Sequence, residues 1–286
     1  MSENLRALRR KIRTVRSIEH ITRAMQFVAT AKLAKLQKQV TAGREYAEHL
    51  RELLRHVAAS EDSPTHPYLI HREPEHVGLV VIAGERGMAG AFNQQIMRLA
   101  DDFLARAWAP VSVLTIGAKA TRWAERRGVD IIDSWPGIAE TGRSSPALEV
   151  SRRVRALYEQ GRVDQVHVVY EDFQTILRHL PRVEQFLPVP PDQAGGGPWG
   201  QYDYSPPAAQ LLEVLLPQAL DGLFYQMVLG TQTSEQAARM TAMQGATDNA
   251  GQMITSLTRR LNRARQYGIT GEIMDVVGGA SAIGAI

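Results

Sequence analysis

The sequence contains no cysteine among its 286 residues, which excludes disulfides, thiolate metal sites and cysteine nucleophiles. No apolar run approaches the roughly 18 residues that a membrane-spanning helix needs, and the first residues lack the apolar segment of a secretory signal. We therefore expect an intracellular chain that reaches a membrane only through partners. Hydrophobic residues make up 44% of the chain and charged residues 22%, so the sequence predicts a folded core.

Catalytic motifs are scarce as well. The chain has neither a Gly-x-x-x-x-Gly-Lys-Ser/Thr phosphate loop nor a nucleophile elbow. The glycines of Gly84–Gly90 follow the first predicted strand, where phosphates often bind, but their spacing is not that of the dinucleotide fingerprint. His66, His71 and His76 are five residues apart, which neither a helix nor a strand aligns for a metal. The sequence thus predicts no catalytic, cofactor or metal site, and a Rossmann-like nucleotide-binding enzyme with helical appendages remains the alternative.

Basic residues are concentrated at the start of the chain. Residues 1–40 carry ten basic and two acidic side chains, a net charge of +8, whereas the whole chain carries only +3. Such a segment indicates either an acidic partner surface, or nucleic acid, or simply a solvated helix face. Aromatic residues do not interleave with the basic run, so we expect no nucleic-acid partner.

Both ends of the chain are predicted to be long helices. Residues 3–58 contain no proline and one glycine, Gly43. Apolar residues there are spaced by three and four, with a short skip, which predicts an amphipathic helix in a coiled coil. The predicted seam is Leu5, Leu8, Ile12, Val15, Ile18, Ile21, Met25, Val28, Leu33, Leu36 and Val40.

The chain from Pro206 onward also has helical periodicity. We expect Pro217 to kink or break it. Ala250, Ile254, Leu257, Leu261 and Ala264 keep a four-three spacing, and the 11 residues of Val276–Ile286 carry no charge. That terminal segment is too short to span a bilayer, so it requires an apolar cover from a partner. We expect the two chain ends to pair antiparallel, with the C-terminal helix extending farther.

Between these helices the period changes to alternating strands and helices. Strands are predicted at 77–83, 111–116, 129–132 and 165–170, with a further edge strand at 182–187. Helices are predicted at 91–107, from the end of the second strand to residue 127, and at 146–160. This alternation predicts a mainly parallel sheet covered on both faces. The predicted fold is α/β plus long helices, an antiparallel coiled coil flanking a Rossmann-like domain. The predicted segments are 1–60 (N-terminal helix), 75–205 (α/β domain) and 206–286 (C-terminal helix).

Several long motifs carry a specific resemblance to a known family. They lie at both ends and in the middle of the chain: Leu8–Val15, Ile21–Leu33, Gly84–Asn93, Val183–Pro188, Ser234–Met243, Ala246–Ala250, Leu261–Gln266, Ile269–Thr270 and Val276–Ala280. Together they resemble the γ subunit of F-type ATP synthases, the central rotor shaft. The likeness covers nearly the whole chain.

The resemblance implies a non-catalytic role. In this family the terminal helices form an asymmetric coiled coil inside a ring of three α and three β subunits, and the β subunits hold the catalytic sites. Rotation driven by proton transport presents different faces of the shaft to each β subunit. The further partners implied are the ε subunit and the membrane c-ring, which would place the chain peripherally on the cytoplasmic side of the cell membrane. The basic N-terminal segment would then face acidic β levers, and the uncharged tip an apolar collar.

The resemblance also assigns contact residues. Those that match family positions in contact with the α/β ring are Met25, Arg239, Arg265, Gln266, Thr270 and Glu272. Tyr202 and Tyr204 match the foot that meets the ε subunit and the membrane ring. Two departures stand out: Ser205 follows Tyr204 where an acidic residue is common, and Leu229–Thr233 replaces a more usual acidic, small-residue run. For Met25 the alternative role is packing in the seam.

Overall fold

The computed structural model describes residues 2–58, 66–138, 144–189 and 208–283. Two long helices lie at the ends of the chain and a mixed sheet with shorter helices lies between them, which confirms the predicted fold class. The helices are α1 (Ser2–Ala58), α2 (Phe92–Arg106), α3 (Ala118–Arg127), α4 (Ser144–Glu159) and α5 (Ala208–Ile283), with a 3-10 turn at Pro67–Leu69. The strands are β1 (Val77–Ile82), β2 (Val111–Ile116), β3 (Asp130–Trp135), β4 (Gln165–Phe173) and β5 (His179–Leu187).

Helix α5 continues through Pro217, so the predicted break there is wrong. A proline inside a helix leaves the carbonyl four residues earlier without its hydrogen-bond donor. Here that carbonyl belongs to Glu213, an exposed residue. Water can satisfy the freed carbonyl, so the helix tolerates the proline at this position.

Residues 1–28 and 240–286 form one compact unit. Its core joins Ile12 and Val15 of α1 to Ala250 and Leu257 of α5, and partly buried leucines extend it, Leu8 on α1 and Leu261 on α5. Farther along α1, Thr22 bonds to Thr247. Residue numbers rise along one helix as they fall along the other, so the two helices pair antiparallel, as predicted.

The predicted seam is wrong at Ile18, Ile21 and Val28, although Leu33 and Val40 farther along are buried as predicted. Ile18, Ile21 and Val28 are 48%, 56% and 57% exposed, whereas Thr22 is buried. Thr22 lies seven residues after Val15, so the heptad continues without the predicted skip. The buried position after Val15 is occupied by this small polar residue and not by an apolar one. The continuous heptad therefore leaves the larger apolar side chains on the outside of the helix.

A pair of buried threonines occupies the seam at this point. The hydroxyl oxygens of Thr22 and Thr247 are 2.8 Å apart, and that of Thr247 lies 2.8 Å from the carbonyl oxygen of Met243. Each hydroxyl has a single proton. The Thr22 hydroxyl also lies 3.1 Å from the carbonyl oxygen of Glu19. When Thr247 donates to Met243, Thr22 donates to Thr247 in place of Glu19, and when Thr22 donates to Glu19, Thr247 donates to Thr22 in place of Met243.

We expect Thr22→Val and Thr247→Val to show a coupling free energy of about 0.5–1.5 kcal/mol, the range of one net hydrogen bond. Valine keeps the volume of threonine, so the double-mutant cycle isolates the hydroxyl pair. Urea unfolding of the full chain, followed by circular dichroism, measures it. The control is Thr14→Val, at an exposed threonine whose hydroxyl bonds within its own helix. Strictly additive effects at the two seam positions would contradict the assignment.

The second compact unit comprises residues 29–239 and contains the sheet. The strand order is β3-β2-β1-β4-β5, with β1 to β4 parallel and β5 antiparallel to β4. Every residue of β1 is buried, as expected for a parallel strand covered on both faces. The three-segment division drawn from the sequence stays a prediction, since each long helix contributes to both units.

Two apolar layers cover the sheet. On one face, Leu79 and Val81 of β1 pack with Phe92 and Ile96 of α2 and Trp123 of α3. On the opposite face, the alternate β1 side chains pack with α4 and with the first turns of α5. The alternation of β1 side chains thus joins both layers through one central strand.

A buried histidine lies on β4. His167 is 8% exposed, and its ring centroid is 4.9 Å from that of Phe103 and 5.9 Å from that of Trp108. Burial lowers the pKa of His167 from 6.5 to about 4. As the pH falls, His167 takes up a proton near pH 6.5 in the unfolded chain but only near pH 4 in the folded chain.

We expect this histidine to make the α/β domain acid-sensitive. Its contribution to stability is complete above pH 6.5 and is lost as the pH falls toward 4, a change on the order of 3 kcal/mol. His167→Gln should flatten that part of the pH profile, measured by urea unfolding at several pH values. His71→Gln, at an exposed histidine, is the control. An unchanged slope in His167→Gln would show that other groups cause the acid sensitivity.

Candidate functional site

Helix α1 carries a stripe of exposed apolar side chains in the unit of paired helices. Ile18, Ile21 and Val28 lie on one face with Met25 between them, since they are three or four residues apart. We call these three exposed residues the α1 stripe. Met25 is half-buried, and Phe27, on the other flank, is 67% exposed. Large exposed apolar patches mark surfaces that bind other proteins. The α1 stripe flanks Met25, which the sequence predicted to contact a partner.

The last described turns of α5 are apolar on several sides. We call Tyr267–Val277 the α5 tip. Among the described side chains of α5, Leu261 is the last that belongs to the paired-helix core. The exposed apolar residues of the tip are Tyr267 (69%), Ile269 (50%), Ile273 (56%), Met274 (67%), Val276 (71%) and Val277 (55%). The tip also carries the exposed Thr270 and Glu272, and its many exposed apolar side chains favour a cover from a partner protein.

Four of the predicted contact residues lie at or next to this tip. Arg265, Gln266, Thr270 and Glu272 are all exposed. The Thr270 hydroxyl donates to the carbonyl of Gln266 at 3.0 Å, so it is satisfied within the helix. These side chains alternate with the apolar ones. A collar around the tip would therefore make polar as well as apolar contacts with it.

The first turns of α1 are strongly basic. All the charged side chains from Arg6 to Arg16 are cationic, and all are exposed: Arg6, Arg9, Arg10, Lys11, Arg13 and Arg16. The next acidic residue, Glu19, pairs with Arg23 at 2.8 Å. This end of the helix therefore presents a positive field that suits an acidic partner.

Arg239 differs from the other predicted contact residues because it is engaged inside the chain. Its guanidinium pairs with Glu235 at 2.5 Å, and the two side chains are only 12% and 4% exposed. The same guanidinium donates to the carbonyl of Gly87 at 3.4 Å. Its role at the ring stays a prediction. Tyr202, Tyr204 and Ser205 lie outside the described residues.

The alternative function, a nucleotide-binding enzyme, would bind its ligand where the parallel strands end. In this chain, glutamate side chains lie at that edge of the sheet. Glu85 accepts from the backbone N–H of Ala118 at 3.0 Å and of Gly137 at 2.6 Å. The N-terminus of α3, where a phosphate would bind, is thus occupied by a side chain. The carboxylate of Glu235 lies beside Gly84 and occupies space next to the glycine loop.

Other possible binding sites are modest. A cavity of about 90 Å³ is lined mainly by apolar residues, with Arg44, Asp172 and Gln226 among them. It is far smaller than the 300 Å³ or so of a typical ligand pocket. Within the described ranges, no cluster of three acidic or histidine side chains could hold a metal. In the same ranges, no helix has the length and apolar character needed to cross a bilayer.

The sequence did not single out one exposed residue, Met88. Met88 lies in the glycine loop, is 59% exposed and has a φ of +62°, a backbone conformation that is rare outside glycine. The surrounding glycines hinted at a tight turn, but they did not single out this position.

Comparisons with known proteins agree along the whole chain. A family model described as ATP synthase matches residues 4–283. The ATP synthase gamma chain of Moorella thermoacetica is 39% identical over 280 residues, covering 98% of this chain and 99% of the relative. That of Symbiobacterium thermophilum is 37% identical over 287 residues, covering 99% of both chains.

Solved structures show the same fold. A rotor chain of the mitochondrial ATP synthase of Euglena gracilis superposes with a TM-score of 0.70 at 16% identity, covering 94% of this chain and all of that one. A chain from the central stalk and c-ring of the Tetrahymena thermophila enzyme has a TM-score of 0.60 at 22% identity, covering 79% and 99%. The family model and the relatives establish that the chain belongs to the ATP synthase gamma chain family, whose members are non-catalytic subunits of the central stalk.

Proposed function

We propose that this chain is the rotor of an F-type ATP synthase, turning inside a ring of three α and three β subunits. The observation that carries the proposal is the α5 tip, a helix end whose apolar side chains face outward on several sides. Such a surface requires an apolar bore around it. The 11 residues of Val276–Ile286 carry no charged side chain, so they can turn without forming and breaking ion pairs, whereas the tip before them carries the charge of Glu272.

The chain couples rotation to catalysis through unequal contacts. A rotor can shift a β subunit from one conformation to another only if it binds the two conformations with different affinity. The paired helices provide such unequal faces: one flank of α1 is apolar along the α1 stripe, and the first turns are basic. Each β subunit in turn meets a different face, and its preferred conformation changes with it.

The contact residues follow from the motif matches and the exposed surfaces. Met25 meets the β levers together with the α1 stripe. Arg265, Gln266, Thr270 and Glu272 provide the polar contacts at the collar, and all four are exposed. Arg239 matches a ring contact farther from the tip, where its guanidinium also pairs with Glu235. The basic side chains of α1 face acidic segments of the ring and make assembly salt-dependent.

The foot of the rotor contacts the membrane part of the complex. Tyr202 and Tyr204 meet the ε subunit and the c-ring, so the chain lies peripherally on the cytoplasmic side of the cell membrane. Ion flow through the c-ring, proton flow in the expected case, then drives the rotation.

Co-assembly tests the rotor proposal. Purified with candidate α and β subunits, the chain should form one asymmetric complex with ATPase activity, detected by size-exclusion chromatography and an activity assay. A chain that elutes alone from that mixture would overturn the proposal. Calorimetry on the isolated chain tests the alternative enzyme, and we expect no binding of nucleotides because Glu85 and Glu235 fill the site.

A further inference from the structure

Part of α5 lies across the carboxyl edge of the sheet. A Cβ atom at Gly230 would lie 3.3 Å from the carbonyl oxygen of Glu171, and the backbone N–H of Glu171 donates to the hydroxyl of Thr231 at 3.1 Å. One and a half turns later, the Glu235 carboxylate lies where a Cβ at Gly84 would be only 2.6 Å away. Because Glu171 is near the end of β4 and Gly84 follows β1, this part of α5 runs from one strand end to the other.

The position is the topological switch point of the sheet. β1 lies between β2 and β4, and the helices that lead to these two neighbours cover opposite faces of the sheet. The carboxyl ends of β1 and β4 therefore leave a crevice, which is where open α/β sheets bind their ligands. In this chain the crevice holds residues 230–239 of α5, which we call the crevice segment.

The crevice segment is buried in the place where a ligand of the sheet would bind. Six consecutive polar residues, Thr231 to Gln236, are each at most 7% exposed, so the helix is enclosed on all sides there. The side chains of Thr231, Gln232, Thr233 and Glu235 are bonded within the chain, whereas the buried hydroxyl of Ser234 has no partner among the described residues. Gln232 donates to the carbonyl of Ile138 at 2.9 Å, and the Thr231 and Thr233 hydroxyls donate to carbonyls of their own helix.

Glu235 connects the crevice segment to the glycine loop. Its carboxylate pairs with Arg239, and the Arg239 guanidinium reaches the carbonyl of Gly87. Both side chains are nearly inaccessible, so the loss of the carboxylate would leave a buried cation without its charge partner. The ion pair is therefore a fixed point between the sheet and α5.

We propose that Glu235 is a positioning residue that locks the α/β domain onto the rotor helix, with the crevice segment acting as a built-in ligand of the sheet. This inference rests on the rotor function. Helix α5 leaves the crevice and continues without interruption to Ile283, so a firm grip at residues 230–239 allows torque on the α/β domain to pass into the helix. A loosened grip lets the domain slip relative to the shaft.

The test uses Glu235→Gln in the full chain and in the assembled complex. In the full chain, amide hydrogen exchange of residues 230–239 should become about tenfold faster, while that of residues 250–257 is unchanged. In membrane vesicles holding the complex, ATP hydrolysis should continue while ion pumping per ATP hydrolysed falls by about twofold or more. Arg127→Gln, which breaks an exposed ion pair with Asp101 on the same domain, should change neither quantity.

The outcomes separate the possible explanations. Unchanged exchange and unchanged pumping in Glu235→Gln would overturn the proposal, as would faster exchange with full pumping. If that variant does not fold, Thr231→Val removes the bond to Glu171 at nearly constant volume and is held to the same two criteria. If the unaltered chain fails to assemble with α and β subunits, the rotor function fails, while the exchange experiment still decides whether Glu235 holds the crevice segment.

Discussion

Replacing Gly117 with alanine is expected to destabilise the α/β domain by more than about 3 kcal/mol. Gly117 follows β2 with a φ of +93°, and a Cβ atom there would lie 2.1 Å from the carbonyl oxygen of Ala83. That oxygen belongs to the backbone, and its segment is held by the bond from Ala83 N–H to Ile116 and by the bond from Lys119 N–H to Gly84. The clash therefore cannot be relieved by a side-chain movement. Urea unfolding, followed by tryptophan fluorescence, measures the loss.

Gly128→Ala is the matched control. Gly128 also has a positive φ, of +66°, but no heavy atom lies within 4 Å of a Cβ added there. Alanine at this position costs only the left-handed backbone conformation, about 1 kcal/mol. Equal losses at the two positions would show that φ alone, and not the close approach to Ala83, explains the requirement for glycine.

Ile273→Asp is expected to weaken assembly with the α and β subunits by tenfold or more, since burying an unpaired carboxylate in an apolar collar costs several kcal/mol. Ile273 is 56% exposed in the chain by itself, so its substitution leaves the fold of the isolated subunit intact. Titration of the labelled chain into α and β subunits measures the affinity, and circular dichroism checks the fold.

Leu177→Asp provides the comparison for that experiment. Leu177 lies between β4 and β5 and is 88% exposed, so the same change of charge is made at an exposed apolar position of the other compact unit. We expect it to assemble normally. Equal weakening by both variants would attribute the effect to net charge, and full assembly of Ile273→Asp would remove the α5 tip from the interface.

The sequence predicted the elements of the sheet well because each buried strand is a short apolar run. Its errors are at strand ends. The third strand, predicted at 129–132, extends to Trp135 because an edge strand accepts the polar Asp133 and Ser134. The last strand begins at His179, earlier than predicted, because Phe173 of β4 pairs with it across the connection. Hydropathy does not report such pairing.

In α1, hydropathy predicted the helix and misplaced its buried face. Packing there follows the heptad through Thr22, although Ile21 is the more apolar neighbour. The register of the heptad, and not hydropathy, decides which of the two neighbours is buried, and a single sequence does not show which residues of the other helix complete that register. The crevice segment was equally hidden, because six polar residues in a row are typical of a solvated helix and only the folded sheet encloses them.

The α1 stripe and the α5 tip also determine how the lone subunit behaves at high concentration. Surfaces meant to be covered by a ring attract one another when the ring is missing. The isolated chain should therefore self-associate as its concentration rises, and co-expression with its partners should improve the soluble yield. The same apolar surfaces that serve assembly make the orphan subunit a substrate for cellular quality control.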